Sequence, residues 1–400
     1  MISLDRYREL FLVPQVRSAL LASIAGRVPI GLTGLAILLF VQSRSGSFAL
    51  AGSASALYVL GLAVIAPFLG RAVDRLGPRP ILLVCGVAYP GALVGLALLV
   101  LAGAHAAWVS IAAFAAGASL PPVSACIRAL YPRLIREPSL LQTAYSVDSA
   151  LVELVFILGP AVVAACVATG YPEAALFLAA LAAGIGTVVF ARAPAIARWT
   201  ASAAYRPRSW LGALSPPKLL VVFGATILYS VGFGLFEVAV SAHAAAKGTP
   251  SAAGIALALT SVGSGAGAVV YGSRHWRMPL PRQFLIALTL MAGGILLLAP
   301  IDNLVVYSMV AIVAGVPMAT AMAAQSQLVS VLASRERLAE SFTWASTCLL
   351  GGVSAGIALG GWMAERYAAY WLVVAAAVST AMAAVLVGAL LGIKPGSDPP

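Results

Sequence analysis

Long apolar stretches separated by short polar segments run through the whole chain. Each stretch is long enough to cross a bilayer, because about 20 apolar residues make one transmembrane helix. The polar gap around Pro300-Ile301-Asp302-Asn303 is so short that the two apolar stretches beside it can also form one continuous span. We predict twelve membrane spans, at 18–42, 48–69, 80–103, 107–130, 140–168, 173–191, 219–244, 251–272, 284–300, 303–332, 341–363 and 369–392.

The composition agrees with this pattern. Hydrophobic residues make up 62% of the 400 residues, charged residues 9%, and the mean hydropathy is +1.00. A soluble protein carries about a quarter of its residues as charged side chains, so soluble, disordered and nucleic-acid-binding classes are excluded. The four cysteines lie inside spans and form no CxxC, so we expect no disulfide framework, metal site or cofactor. The sequence predicts an all-α polytopic membrane protein.

The basic residues are unevenly distributed between alternate loops. With the N-terminus in the cytoplasm, the inside segments hold 20 basic residues and the outside segments hold 3. This is the positive-inside pattern, so we expect both termini to be cytoplasmic and the net charge of +11 to reflect topology rather than nucleic-acid binding. Arginine outnumbers lysine 21 to 3, as in bacteria with GC-rich genomes, so we expect a bacterial inner membrane.

The longest polar interruption divides the spans into two sets of six. We therefore predict a first bundle at 1–191, a cytoplasmic linker at 192–217 and a second bundle at 218–400. Weak internal similarity supports this division. Gly159 matches Gly356 at an offset of 197, and Gly31-Leu32 matches Gly234-Leu235 at an offset of 203. Two related halves are typical of secondary transporters.

The loop between spans 2 and 3 contains a distinctive set of residues. Gly70 allows close approach to a neighbouring helix, Gly77 allows a tight turn, and Asp74 can pair with a nearby arginine or with a helix N-terminus. The loop resembles the signature G-x-x-x-D-[RK]-x-G-x-[RK]-[RK] of the major facilitator superfamily, although Pro80 replaces the last basic residue. The matching residues are Gly70, Asp74, Arg75, Gly77 and Arg79.

The resemblance implies a fold of twelve helices in two pseudo-symmetric six-helix bundles. The function that it implies is transport of a small molecule, and we expect the transporter to be a monomer. It also implies that Asp74 faces the start of span 11, near residues 335–340, and stabilises the outward-open state. The equivalent loop of the second half, 272–277, lacks the acid, so we expect this switch to be one-sided. Drug/proton antiporters of the family carry G-P-x-x-G-G in span 5, of which only Gly159-Pro160 is present here.

Four charged residues stand out inside predicted spans, and a charge at the bilayer centre costs at least ~2.5–3.5 kcal/mol. Arg27 lies in span 1, Asp148 and Glu153 in span 5, and Glu237 in span 7. We expect Arg27 to pair with Asp148 or Glu153. The pair can be a static structural element, or it can bind substrate and protons, which the excess of two acids over one base favours.

Span 7 also carries an aromatic stripe. Tyr229, Phe233 and Glu237 share one helix face at four-residue spacing, and span 10 adds Gln325. Such a surface suits an amphipathic or cationic substrate, although helix packing explains it equally well.

The function predicted from the sequence is proton-coupled export of a small organic compound across the lipid bilayer. Uptake, or uniport without protons, is the alternative, and a membrane enzyme or sensor on a transporter fold is a remote one.

Gly352-Val353-Ser354-Ala355-Gly356 spells a hydrolase motif, but it lies in an apolar helix. Gly352, Gly356 and Gly360 are therefore interpreted as a helix-packing stripe.

Overall fold

The computed structural model describes residues 5–200, 212–249 and 252–391, and long helices dominate these ranges. Twelve of them are long and apolar enough to cross a membrane, which confirms the predicted number. Most bounds differ from the prediction by only a few residues. Spans 1 to 12 run Pro14–Ser45, Ala49–Leu76, Pro78–Leu101, Ala106–Leu134, Pro138–Ala168, Glu173–Arg192, Pro217–Ala246, Ala252–Ser273, Leu280–Leu297, Leu304–Leu332, Arg335–Ala364 and Ala369–Leu390.

Two local features refine these spans. Spans 9 and 10 are separate, because Asn303 accepts hydrogen bonds from the Val305 and Val306 N–H groups and so caps the start of span 10. Span 4 is interrupted between Ala106–Ala118 and Val123–Leu134. The interruption contains Pro121 and Pro122, which have no N–H to continue the helical ladder.

A short helix, Asp5–Leu12, precedes span 1, as the amphipathic N-terminal sequence suggests. The Tyr7 hydroxyl donates a hydrogen bond of 2.7 Å to the Val269 carbonyl in span 8. Burial raises the pKa of Tyr7 to about 12, so this donor stays protonated. The helix therefore ties the start of the chain to the second bundle.

The twelve helices form two bundles with the same arrangement of neighbours. In the first bundle span 1 packs on spans 5 and 6, span 2 on span 4, and span 3 on span 6. In the second bundle span 7 packs on spans 11 and 12, span 8 on span 10, and span 9 on span 12. This correspondence confirms the pseudo-symmetric fold.

Glycines make a close helix crossing in each bundle. A Cβ added to Gly159 would lie 2.3 Å from the Gly31 carbonyl oxygen, and one added to Gly356 would lie 2.2 Å from the Val231 oxygen and 3.0 Å from the Gly234 Cα. The glycines that match at offsets of 197 and 203 therefore meet in pairs. Gly352 and Gly360 also pack on span 7, as expected for a packing stripe.

The bundles meet where span 2 packs on span 11 and span 5 packs on spans 8 and 10. We call the end of the molecule that carries the loops after spans 2, 4, 8 and 10 the basic face. Residues 201–211 of the predicted linker and the C-terminal Lys394 lie outside the described residues. The arginines of the four loops are Arg75, Arg79, Arg133, Arg136, Arg274, Arg277, Arg335 and Arg337.

Candidate functional site

The acid of the loop after span 2 caps the start of span 11. Asp74 is 2% exposed. Its carboxylate accepts hydrogen bonds from the Ala339 N–H at 3.2 Å and from the Glu340 N–H at 2.8 Å. Both groups belong to the first turn of the helix Leu338–Ala364, where N–H groups are unpaired and the helix dipole is positive. Asp74 thus lies where the sequence predicted, and its partners are backbone N–H groups.

The rest of the motif brings the two bundles close together. A Cβ on Gly70 would lie 2.8 Å from the Ala339 carbonyl oxygen, so only glycine allows this approach. Gly77 has a φ of +85°, which favours glycine. Arg71, a variable position of the motif, forms an ion pair of 2.7 Å with the fully buried Glu340. Arg75 and Arg79 are exposed on the basic face.

The equivalent region of the second half makes a matching contact without an acid. Gln142 Nε2 donates to the Tyr271 carbonyl at 2.8 Å, and Thr143 Oγ1 donates to the Gly272 carbonyl at 2.7 Å. The last carbonyls of a helix have no intrahelical partner, so side chains at the start of span 5 can bind them. Both regions therefore hold the opposite bundle, one through a carboxylate and one through neutral donors, and the one-sided switch stays a prediction.

These contacts close the molecule at the basic face. Arg133 Nη2 adds a hydrogen bond to the Arg335 carbonyl, and Gln327 Nε2 adds one to the Pro138 carbonyl, each at 3.3 Å. At the opposite ends of the spans, the ion pairs Arg44–Glu173 and Lys247–Asp302 each stay within one bundle. No hydrogen bond joins the bundles at that end within the described ranges.

A central cavity lies between the bundles. It encloses about 1130 Å³, including open solvent at its mouth, and spans 1, 2, 4, 5, 10 and 11 line it. Arg128 and Gln325 are polar residues of its wall.

A buried cluster of three charges lies beside this cavity. Arg27 Nη2 contacts Asp148 Oδ1 at 2.5 Å, and Arg128 Nε contacts Asp148 Oδ2 at 2.6 Å. The exposed fractions of the Arg27, Arg128 and Asp148 side chains are 2%, 9% and 1%. The predicted Arg27–Asp148 pair is present, and Arg128, near the end of the predicted span 107–130, is a third member that the sequence did not predict. The predicted excess of acid over base is therefore wrong here, since two bases share one acid.

Glu153 does not join this cluster. Its Oε1 accepts a hydrogen bond of 2.9 Å from Ser264 Oγ in span 8, and Ser264 Oγ accepts one of 3.0 Å from the Ala319 N–H in span 10. The alternative Arg27–Glu153 pair is therefore absent. Glu153 instead bridges the two bundles near the middle of span 5.

Glu237 lies in span 7 within electrostatic range of Glu153. Both acids are half-buried. No salt bridge joins either of them to a base in the part of the chain that the structure describes. Two acids without a basic partner therefore lie near the interface of the bundles, and neither joins the arginine cluster.

The aromatic stripe of span 7 supports the cavity wall indirectly. Tyr229 is 4% exposed and donates a hydrogen bond of 3.2 Å to Gln325 Oε1. Its ring packs edge to face on Phe284, with ring centroids 6.4 Å apart. Phe233 is half-buried against the core. Of the candidate side chains in spans 7 and 10, Gln325 is the one that lines the cavity.

A comparison with known protein families finds one match. Residues 19–237, more than half of the chain, match the family described as the Major Facilitator Superfamily. The chain is also similar to an uncharacterised MFS-type transporter, y4rN, of Sinorhizobium fredii. The two are 26% identical over 289 residues, which cover 66% of this chain and 68% of that protein.

Solved structures share the fold at low sequence identity. The human organic anion transporter MFSD10 (TETRAN) aligns with a TM-score of 0.73 and 17% identity, covering 95% of this chain and 99% of that one. A bacterial homologue of the iron transporter ferroportin, in an outward-facing state, aligns with a TM-score of 0.74 and 15% identity, covering 93% and 98%. The two neighbours are named for very different cargoes, so the fold alone does not identify a substrate.

Proposed function

Because this chain belongs to the Major Facilitator Superfamily, and is thus a membrane transporter rather than an enzyme, we propose that it is a proton-coupled exporter. In this proposal a small organic solute leaves the cell in exchange for protons as the two bundles rock about the central cavity. The substrate binds between the bundles, and the chain acts as a monomer.

The pair of acids between the bundles carries this proposal. Glu153 contacts Ser264 of the other bundle, and Glu237 lies within its electrostatic range. Two carboxylates that interact inside a membrane without a base are costly as two anions, so binding of at least one proton is favoured. Because Glu153 bridges the bundles, its protonation can be coupled to their movement.

Asp148 is a poorer proton carrier than these acids. Two guanidinium groups contact it, and removing its charge would leave both of them buried without an anion. We therefore assign proton coupling to Glu153 and Glu237, and a separate role to the arginine cluster.

Antiport rather than symport is supported by span 5. Gly159-Pro160 is the part of the antiporter motif that this chain retains, and Gly159 forms the tight crossing with span 1. The basic face is proposed to be cytoplasmic by the positive-inside rule, in a bacterial inner membrane with both termini inside. The structure would then be closed to the cytoplasm, ready to receive protons from outside.

Transport can be tested without knowing the substrate. Purified protein is reconstituted into vesicles loaded with a mixture of drugs, sugars, amino acids and organic acids. The outside is then acidified, and mass spectrometry measures what remains inside. We expect one class of compound to leave faster through the wild type than from protein-free vesicles. Glu153→Gln and Glu237→Gln should abolish the response to acid, and the exposed Glu365→Gln should not.

The alternatives give different results in the same vesicles. Accumulation of a compound from outside upon acidification would establish uptake. Efflux that is faster than from protein-free vesicles, and equally fast with and without a pH gradient, would establish uniport. Either result would overturn proton-coupled export.

A further inference from the structure

The buried cluster beside the central cavity carries an uncompensated positive charge. Arg27 and Arg128 both contact Asp148, so two positive charges face one negative charge. Arg27 Nε and Nη1 are also buried without a hydrogen-bond partner within the described ranges. An excess charge inside a membrane is costly, and an incoming anion would offset that cost.

Arg128 presents this charge to the cavity. It lines the cavity wall, and its Nε is the atom that contacts Asp148. No hydrogen bond joins the Nη atoms of Arg128 to another residue of the described ranges. A guanidinium group binds a carboxylate through two parallel N–H donors. The Nη edge of Arg128 is therefore available for a carboxylate in the cavity.

The remaining cavity wall combines two polar groups with a large apolar surface. Gln325 Oε1 accepts from Tyr229, which leaves the amide N–H groups as donors. Ser124 Oγ lines the same cavity and is buried without a partner in the described structure. Most of the wall is apolar, as binding sites for amphipathic ligands are. Prominent apolar side chains are Leu62, Leu69, Phe156, Met322, Leu349 and Leu350.

We infer that the central cavity binds an amphipathic organic monocarboxylate, with the carboxylate on Arg128 and the hydrocarbon on the apolar wall. One net positive charge matches one carboxylate, and the apolar wall disfavours a small inorganic anion. This inference rests on the proposed transport function, since it names the substrate class of that cavity. It reverses the cationic preference that the sequence suggests for span 7.

Binding is measured on the purified full-length protein with three probes that share one hydrocarbon frame: 4-phenylbutyrate, 4-phenylbutyramide and 4-phenylbutylamine. Benzoate and decanoate extend the carboxylate series. We expect carboxylates to raise the thermal unfolding midpoint in a saturable way, whereas the amide and the amine do not. A response to the amine alone, or to no member of the carboxylate series, would overturn the inference.

Variants locate the site. Arg128→Gln should raise the Kd of the responding carboxylate by about tenfold or more, since hydrogen bonds to charged groups contribute about 1.5–3 kcal/mol. Arg136→Gln, which removes an exposed arginine of the basic face, is the matched control and should leave the Kd unchanged. Equal loss in both variants would indicate a nonspecific charge effect and overturn the assignment.

Asp148→Asn tests whether the positive charge of the cluster attracts the carboxylate. Removing the acid raises the net charge of the cluster and should therefore tighten carboxylate binding. Gln325→Glu and Gln325→Met provide a second test outside the cluster. The introduced acid should weaken binding at least as much as Arg128→Gln, and Met should weaken it less. Unchanged binding in Gln325→Glu would contradict the site.

These binding measurements need no proton gradient. Carboxylate binding without acid-driven export would preserve the site and reject the exporter. Acid-driven export of a compound without a carboxylate would do the reverse.

Discussion

At the scale of single residues, the cluster of Arg27, Arg128 and Asp148 responds unequally to the loss of its members. Loss of either arginine leaves one base and one acid, whereas loss of the acid leaves two buried cations. Removing one partner of a buried pair costs about 3–5 kcal/mol when the other charge is left uncompensated. We therefore expect Asp148→Asn to lower the unfolding midpoint most, and Arg27→Gln or Arg128→Gln less.

The double variant Asp148→Asn/Arg27→Gln should recover part of the stability that Asp148→Asn loses, because only one cation remains. Thermal unfolding of the wild type and of the four variants, without ligand, provides the measurement. An arginine variant less stable than Asp148→Asn would show that the cluster is not held by charge balance.

Some of this cluster could be predicted from the sequence. Arg27 and Asp148 stand deep in apolar stretches, where the cost of burial requires a partner. Arg128 precedes the surface residues Arg133 and Arg136 by only a few positions. A sequence does not show whether an arginine near a helix end extends to the surface or turns inward. The charge balance of the cluster therefore needed the structure.

At the scale of helices, the crossings of spans 1 with 5 and 7 with 11 depend on glycine. Gly159→Ala and Gly356→Ala each place a Cβ within 2.3 Å of a backbone oxygen, so the helices must separate. We expect both variants to lower the unfolding midpoint and slow transport. Gly95→Ala in span 3 is the matched control, because nothing lies within 4 Å of its Cβ.

For Gly95→Ala we expect no loss, since alanine favours a helix over glycine by about 1 kcal/mol. Equal effects at Gly95 and Gly159 would mean that the crossing tolerates a methyl group.

Glycine pairs are visible in the sequence as weak internal similarity. Their contact is not, because similarity at a fixed offset does not say which helices touch.

The two loops that hold the basic face closed should differ in strength. Asp74 is a charged acceptor, whereas Thr143 is a neutral donor to a carbonyl, and charged hydrogen bonds contribute about twice as much. We expect Thr143→Val to slow transport less than Asp74→Asn does, as measured in the same vesicles. Complete loss in Thr143→Val, with Asp74→Asn unaffected, would contradict this order.

The second loop also shows a limit of sequence patterns. Its acceptors are backbone carbonyls at the end of span 8, which any residue supplies. The absence of an acid at 272–277 therefore did not mean the absence of a contact.

At the scale of the whole molecule, the orientation in the membrane can be tested by reporter fusions. We expect a reporter after Lys394 and one inserted near Tyr205 to be cytoplasmic, and one near Gly46 to be periplasmic, because the basic loops stay inside. The reporters are compared in intact and permeabilised cells. A periplasmic C-terminus would contradict the even number of spans on which the paired bundles depend.

Alternating access is the central claim, and distances between the bundles test it most directly. With Cys85, Cys126, Cys166 and Cys348 replaced, spin labels at Arg136→Cys and Arg277→Cys report on the basic face. Labels at Ala102→Cys and Ala246→Cys report on the opposite face; all four labelled positions are exposed.

Pulsed electron spin resonance then measures both distances in lipid. In the otherwise unchanged protein, the distance across the basic face should match the closed structure. Asp74→Asn should lengthen that distance and shorten the one across the opposite face, because the capping charge on span 11 is lost. Distances that stay the same in both backgrounds would contradict a rocking transporter controlled by this loop.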